Sequence, residues 1–191
     1  MDTDLALTCA LVAATVASTA ISFHTGKTHY GARTPELFDA AHAVLPDMRT
    51  NAALVFANAY LMPLVTFVCA FRAGVQTPYM RRTSVALIVR ALLTTVTVLP
   101  SECDIEKLSF MDYVQGHCYD KIPSGHFIVA GTLLWMLYKR GTMRASDAAI
   151  AAFAVALCIL LVRAHYTIDI AVSALLILAI DGLQIPQLSF D

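Results

Sequence analysis

Six apolar runs joined by polar segments make up most of this 191-residue chain. They are Leu5 to Phe23, Ala52 to Phe71, Ser84 to Pro100 (with Arg90 inside), Gly125 to Tyr138, Ala148 to Val162 and Tyr166 to Leu183. A helix needs about 20 apolar residues to cross a hydrocarbon core of roughly 30 Å, and the first two runs meet that length easily. The fourth and fifth are shorter and, alone, would suit the core of a soluble protein. Six such runs leave too little polar surface for that alternative. The pattern therefore predicts an all-α membrane protein, one domain built as a six-transmembrane-helix bundle. The first run lacks a positive flank, so it reads as a retained helix and not as a cleaved signal.

Composition sharpens this picture. Hydrophobic residues form 58% of the chain and charged ones 14%, against about 25% charged in a soluble domain; mean hydropathy is +0.67. A net charge of −1 with no basic arm argues against nucleic acid as a partner. Basic residues crowd the short joints after the second and fourth runs, at Arg72, Arg81 and Arg82, then at Lys139, Arg140 and Arg144. The joint from Ser101 to Ser124 is acidic, with Glu102, Asp104, Glu106, Asp112 and Asp120. Short basic loops stay in the cytoplasm, so both termini are expected there, with the first, third and fifth loops on the luminal or exterior side.

Candidate chemistry sits on that second side. His126 opens the fourth run, and His165 and Asp169 open the sixth. Ionisable groups at a membrane mouth are costly and tend to be kept for chemistry. His165 and Asp169 are four apart, which would stack them on one helical face. A carboxylate there fixes the imidazole tautomer and leaves the other ring nitrogen to attack. The plain alternative is a pair that only satisfies itself; Ser124-Gly125-His126 on the same side weighs against it. Two histidines and an aspartate also suit zinc, but a helix-opening Ser-Gly-His fits proton transfer better, and neither metal nor cofactor is expected.

Phosphate chemistry needs cations and donors. Arg163 stands beside His165 and is placed to clamp a phosphodiester. Arg90 lies about 15 Å of helical rise before Pro100, and either faces a polar cavity or snorkels toward the cytoplasm. Ser124 and Gly125 offer backbone N–H groups at a helix start, or a simple cap. Asp120 is the candidate to tune His126, ahead of Glu102. Cys9, Cys69 and Cys158 fall within the runs as small hydrophobes; Cys103 and Cys118 share the third loop, as a disulfide or as two thiols. His24, His29, His42 and His117 read as loop or interface residues. Pro35 to Thr50 reads as a short interfacial helix, with Leu37, Phe38, Ala41 and Val44 along one side; it is either a passive surface helix or a cover over a lipid entrance.

Four segments in order resemble the sphingomyelin synthase-like lipid phosphotransferases of the type 2 phosphatidic acid phosphatase superfamily. They are Leu45-Pro46-Asp47; Arg81-Arg82 with Arg90, Thr94, Thr97 and Leu99-Pro100; Cys118-Tyr119-Asp120 before Ser124-Gly125-His126; and His165-Tyr166-Thr167-Ile168-Asp169. Tyr119 stands where the family has glycine and Phe127 where threonine is usual, while Pro123-Ser124-Gly125-His126 is more similar to the phosphatase branch. The resemblance implies that His165, oriented by Asp169, attacks a phospholipid phosphorus. It also implies that His126 protonates the departing diacylglycerol and then deprotonates an incoming hydroxyl. It favours the inward placement of Arg90.

The expected activity is transfer of a phospho-head group, phosphocholine from phosphatidylcholine, to ceramide. The open alternatives are transfer to diacylglycerol, ethanolamine or inositol donors, hydrolysis as a lipid phosphatase or phospholipase C, and a non-catalytic lipid-binding membrane protein. Partners are membrane lipids. The implied location is the Golgi, endoplasmic reticulum or plasma membrane, with the site on the luminal or exoplasmic side. Oligomeric state stays open.

Overall fold

The computed structural model describes residues 3–30, 37–99 and 122–183, and among them every regular element is helical. Asp120, Glu102, Cys103, Cys118 and His117 lie outside the described residues. Seven helices follow in order: α1 Thr3–Tyr30, α2 Ala40–Val44, α3 Ala52–Arg72, α4 Gln76–Val96, α5 Gly125–Lys139, α6 Ala145–Leu161 and α7 Thr167–Gly182. Two of them, α1 and α3, are long and apolar enough to cross a membrane.

Helix limits follow local chemistry more than hydropathy. α4 starts at Gln76, not Ser84, because Arg81 and Arg82 are good helix formers and charge does not end a helix. It stops at Val96, where β-branched Thr95 to Val98 precede Pro100. Between Pro35 and Thr50 only one turn, Ala40–Val44, is helical among the described residues, since Pro46 forces Leu45 into extended backbone. Within α3, Ala57–Leu61 widens into a π-turn. Pro63 follows, and its ring and missing N–H disfavour a regular ladder to the preceding turn.

Three helices end in the same Schellman pattern. After α3, Gly74 (φ +64°) and Val75 donate to the carbonyls of Phe71 and Ala70; after α5, Gly141 (φ +72°) and Thr142 donate to those of Tyr138 and Leu137. After α6 the left-handed position is held by an arginine, Arg163 (φ +55°), with Arg163 and Ala164 donating to Leu160 and Ile159. A side chain in that conformation costs roughly 1–2 kcal/mol.

α5 is the hub, packed against α3, α4, α6 and α7, while α1 runs along α4. The polarity is inside out. Val16, Phe71, Ile150, Phe153 and Leu175 are exposed, whereas Ser18, Ser22, Thr94, Ser124, Asp169 and Ser173 are buried. On α1 the buried positions Ser18, Ser22 and Gly26 recur every four residues, the small-residue spacing that lets helices approach closely in lipid. Cys9 and Cys69, expected to pack as small hydrophobes, face outward, and Cys158 is half-buried.

Two ends of the bundle can be told apart. At one, Arg82 and Lys139 reach Asp181 at 2.7 and 3.6 Å, tying the start of α4 to the ends of α5 and α7. At the other, the Tyr30 hydroxyl donates to the Val98 carbonyl (3.1 Å) and the Met48 N–H to that of Leu161 (2.9 Å). The starts of α5 and α7 meet at this second end.

Candidate active site

α7 begins one residue after Tyr166, so His165 stands in the turn before the helix and not on its face. His165 and Asp169 therefore meet across the helix N-terminus, contrary to the stacking expected from their spacing. Asp169 is the third helical residue, and its Oδ2 accepts the Tyr166 N–H at 2.9 Å. The same oxygen lies 3.3 Å from His165 Nδ1. With Asp169 ionised the carboxylate only accepts, which would put the proton on Nδ1 and leave the lone pair on Nε2. Asp169 is fully buried and His165 nearly so.

The start of α5 is fastened to this turn. Ser124 is the N-cap, its Oγ accepting the Phe127 N–H at 3.3 Å. The Ser124 N–H is directed at the Asp169 carbonyl, 3.4 Å away. From α7, Ser173 Oγ lies 2.7 Å from the Asp169 carbonyl and 3.2 Å from that of Ser124, sharing one hydroxyl proton between the two helices. This lacing brings the His126 and His165 rings to a centroid separation of 6.2 Å, edge to face at 63°.

Arg90 points inward. Its Nε donates to the Pro123 carbonyl at 2.8 Å, and a Cβ at Gly125 would stand 3.2 Å from that same nitrogen. Glycine at 125 lets the guanidinium lie against the first turn of α5, which carries His126.

Residues 39–48 form a strap across the site. The Asp39 carboxylate accepts the Thr167 N–H (2.7 Å) and hydroxyl (2.9 Å), capping α7 from a distant part of the chain, and accepts the His42 N–H at 3.0 Å. His42 Nε2 donates to the His165 carbonyl (3.1 Å), and its ring lies 5.5 Å from that of Tyr166. Arg163 closes the strap from the other side, donating to the carbonyls of His42 (2.8 Å) and Leu45 (3.1 Å). Ala41 and Leu45 pack inward, while Phe38 and Val44 face out.

Electrostatics match these contacts. Burial pushes the Asp39 carboxyl up, but the donors of His42 and Thr167 outweigh it and hold the group below the ordinary range. Asp47 is held at about 2 by the side chain and N–H of its neighbour Arg49.

His126, His165, Asp169, Ser124, Gly125 and Arg90 are thus gathered at one end of the bundle. Arg163 is adjacent, with one guanidinium nitrogen spent on the strap. Among the described residues no group of three or more His, Cys, Asp or Glu is arranged to hold a metal. Sequence reasoning missed Ser173, Asp39 and His42. Ser173 had a signal, since it follows Asp169 by four residues. Asp39 and His42 had none, because their partners lie more than a hundred residues away.

Compared with protein-family models, with curated proteins and with solved structures, the chain matches none.

Proposed function

We propose that this chain is a six-span membrane enzyme with both termini in the cytoplasm, which moves a phospho-head group from a phospholipid to the hydroxyl of a second lipid. The membrane reading draws on the outward apolar faces of α1, α3, α6 and α7 and on the buried hydroxyls between helices. The orientation draws on the cations Arg72, Arg82, Lys139 and Arg144, which fall at the end of the bundle opposite the histidines.

The reaction reading stands on one observation: His126 and His165 face each other at 6.2 Å, with Asp169 behind His165. In the first step, Nε2 of His165 attacks the phosphorus and the bond from phosphorus to the glycerol oxygen breaks. Protonated His126 gives its proton to that oxygen, releasing diacylglycerol. The head group is then held as a phosphohistidine whose ring charge Asp169 offsets. In the second step, His126 takes the proton of the acceptor hydroxyl, whose oxygen forms the new bond to phosphorus as the bond to His165 breaks. Arg90 and Arg163 supply positive charge near the phosphoryl oxygens.

Phosphatidylcholine as donor and ceramide as acceptor come from the sequence resemblance. The test is purified protein in liposomes with head-group-labelled phosphatidylcholine and either ceramide or diacylglycerol. The reading expects label on ceramide, and water-soluble phosphocholine alone would replace transfer by hydrolysis.

A further inference from the structure

The inward face of α3 reads Leu54, Asn58, Met62, Thr66 and Ala70 at four-residue steps. Two of these are polar. Thr66 satisfies itself, its hydroxyl donating to the Met62 carbonyl at 2.8 Å. Asn58 does not: it is 4% exposed, and its Oδ1 has no hydrogen-bond partner. It sits inside the π-turn Ala57–Leu61, a distortion frequent at functional sites. Met62, one turn further along the same face, packs against the cluster containing Phe127 and Ile170, which directly follow His126 and Asp169 in sequence. Asn58 is therefore one turn nearer the histidine end than a residue already in contact with the bundle interior.

A buried acceptor in an apolar layer is unfavourable unless a donor reaches it. In a membrane a lipid lying against the bundle can bring such a donor. Ester carbonyls donate nothing. Diacylglycerol has a single donor, the hydroxyl, which the proposed reaction occupies at His126. An N-acyl sphingoid base carries two further donors: the amide N–H on the carbon next to its reacting hydroxymethyl group, and the hydroxyl one carbon beyond.

We propose that Asn58 selects a sphingoid acceptor lipid, its Oδ1 accepting a hydrogen bond from one of the two donors, amide N–H and hydroxyl, that stand beside the reacting hydroxymethyl group and that diacylglycerol lacks. This rests on the head-group-transfer reading and assigns the residue by which that site distinguishes ceramide from diacylglycerol.

The test separates the two. Full-length protein in phosphatidylcholine vesicles is irradiated with diazirine-bearing ceramide or with diazirine-bearing diacylglycerol of equal chain length. The ratio of cross-linking yields is then read for wild type, Asn58→Leu, Asn58→Ala and His165→Ala. Wild type and His165→Ala should favour ceramide by about fivefold, the factor that one ordinary hydrogen bond supplies. Asn58→Leu and Asn58→Ala should bring the ratio near one. The melting temperature of Asn58→Leu in detergent should not fall, because an apolar side chain of similar size replaces an unpaired polar one. Retention of the wild-type ratio in the leucine variant overturns the assignment; if that variant does not fold, retention in the alanine variant does so. A wild-type ratio near one also overturns it, since a buried water would then be the partner of Oδ1. Absence of any transfer product with the ratio intact defeats the reaction reading and leaves Asn58 as a sphingoid-selecting contact.

Discussion

One carboxylate oxygen of Asp169 faces both His165 and the helix that begins beside it: Oδ2 lies 3.3 Å from His165 Nδ1 and 2.9 Å from the Tyr166 nitrogen. The groups that orient the imidazole and that start α7 are the same atom. Asp169→Asn should therefore damage two properties at once. Loss of the tautomer-fixing acceptor is expected to lower transfer by about 10²- to 10⁴-fold. Loss of the cap is expected to lower stability by about 1 kcal/mol. Turnover in liposomes and thermal melting in detergent check the two separately; wild-type turnover in this variant contradicts the role.

Ser173 joins the start of α5, which carries His126, to the start of α7, which His165 precedes. Ser173→Ala removes the hydroxyl between the Ser124 and Asp169 carbonyls, a loss of about 1 kcal/mol. In a chain of this length that lowers the melting midpoint by about 2–4 °C. Because the hydroxyl fixes the spacing of the rings, turnover should fall more than the small stability change explains. Equal turnover with a lowered midpoint would make Ser173 a purely structural residue.

Arg163 occupies a left-handed position that glycine fills after α3 and α5. Arg163→Gly relieves the backbone by about 1 kcal/mol but removes the two donors that hold the His42 and Leu45 carbonyls. The gain and the loss nearly cancel in melting temperature. The strap should nonetheless loosen, with faster protease cleavage within residues 39–48 and lower transfer. An unchanged cleavage rate would mean that the strap is held without Arg163.

Acid should release the other end of the strap. The folded Asp39 carboxyl lies below its ordinary value because donors from His42 and Thr167 outweigh the opposing effect of burial. A depressed folded value means that Asp39 stabilises the fold fully above the unfolded pKa of about 3.9. That stability is lost as pH falls through the lower folded value. The wild-type melting midpoint should therefore drop below about pH 4, and Asp39→Asn should flatten that drop. Asp47, held at about 2 by Arg49, titrates in the same direction, so Asp47→Asn is the control. A slope insensitive to Asp39→Asn would show that its contacts do not stabilise the strap.

Much of the helical framework was legible because an apolar run long enough to cross a bilayer has few alternatives to a helix. The limits were less so. Hydropathy marks where a helix is apolar, and α4 continues eight residues beyond that mark, through Arg81 and Arg82 to Gln76. The spacing of His165 and Asp169 was visible, but the reason they meet was not: they touch across a helix start, a boundary that spacing alone does not locate. The strap was poorly legible. Leu37, Phe38, Ala41 and Val44 read as one side of a helix, but among the described residues only Ala40–Val44 is helical there, and Ala41 packs inward while Phe38 and Val44 face out. The bonds from Asp39 to Thr167 and from Arg163 to Leu45 join residues with no local pattern in common. Asn58 is one of two polar residues on the inward face of an apolar run, and only its burial without a partner makes it informative.

The central claim is that His165 carries the head group between two lipids. The direct measurement is to incubate the protein with head-group-labelled phosphatidylcholine without acceptor, digest it at alkaline pH, and locate the label by mass spectrometry. Phosphocholine on His165, discharged stoichiometrically when ceramide is added and absent from His165→Ala, is the predicted result. Label on any other residue, or continued transfer by His165→Ala, would contradict it.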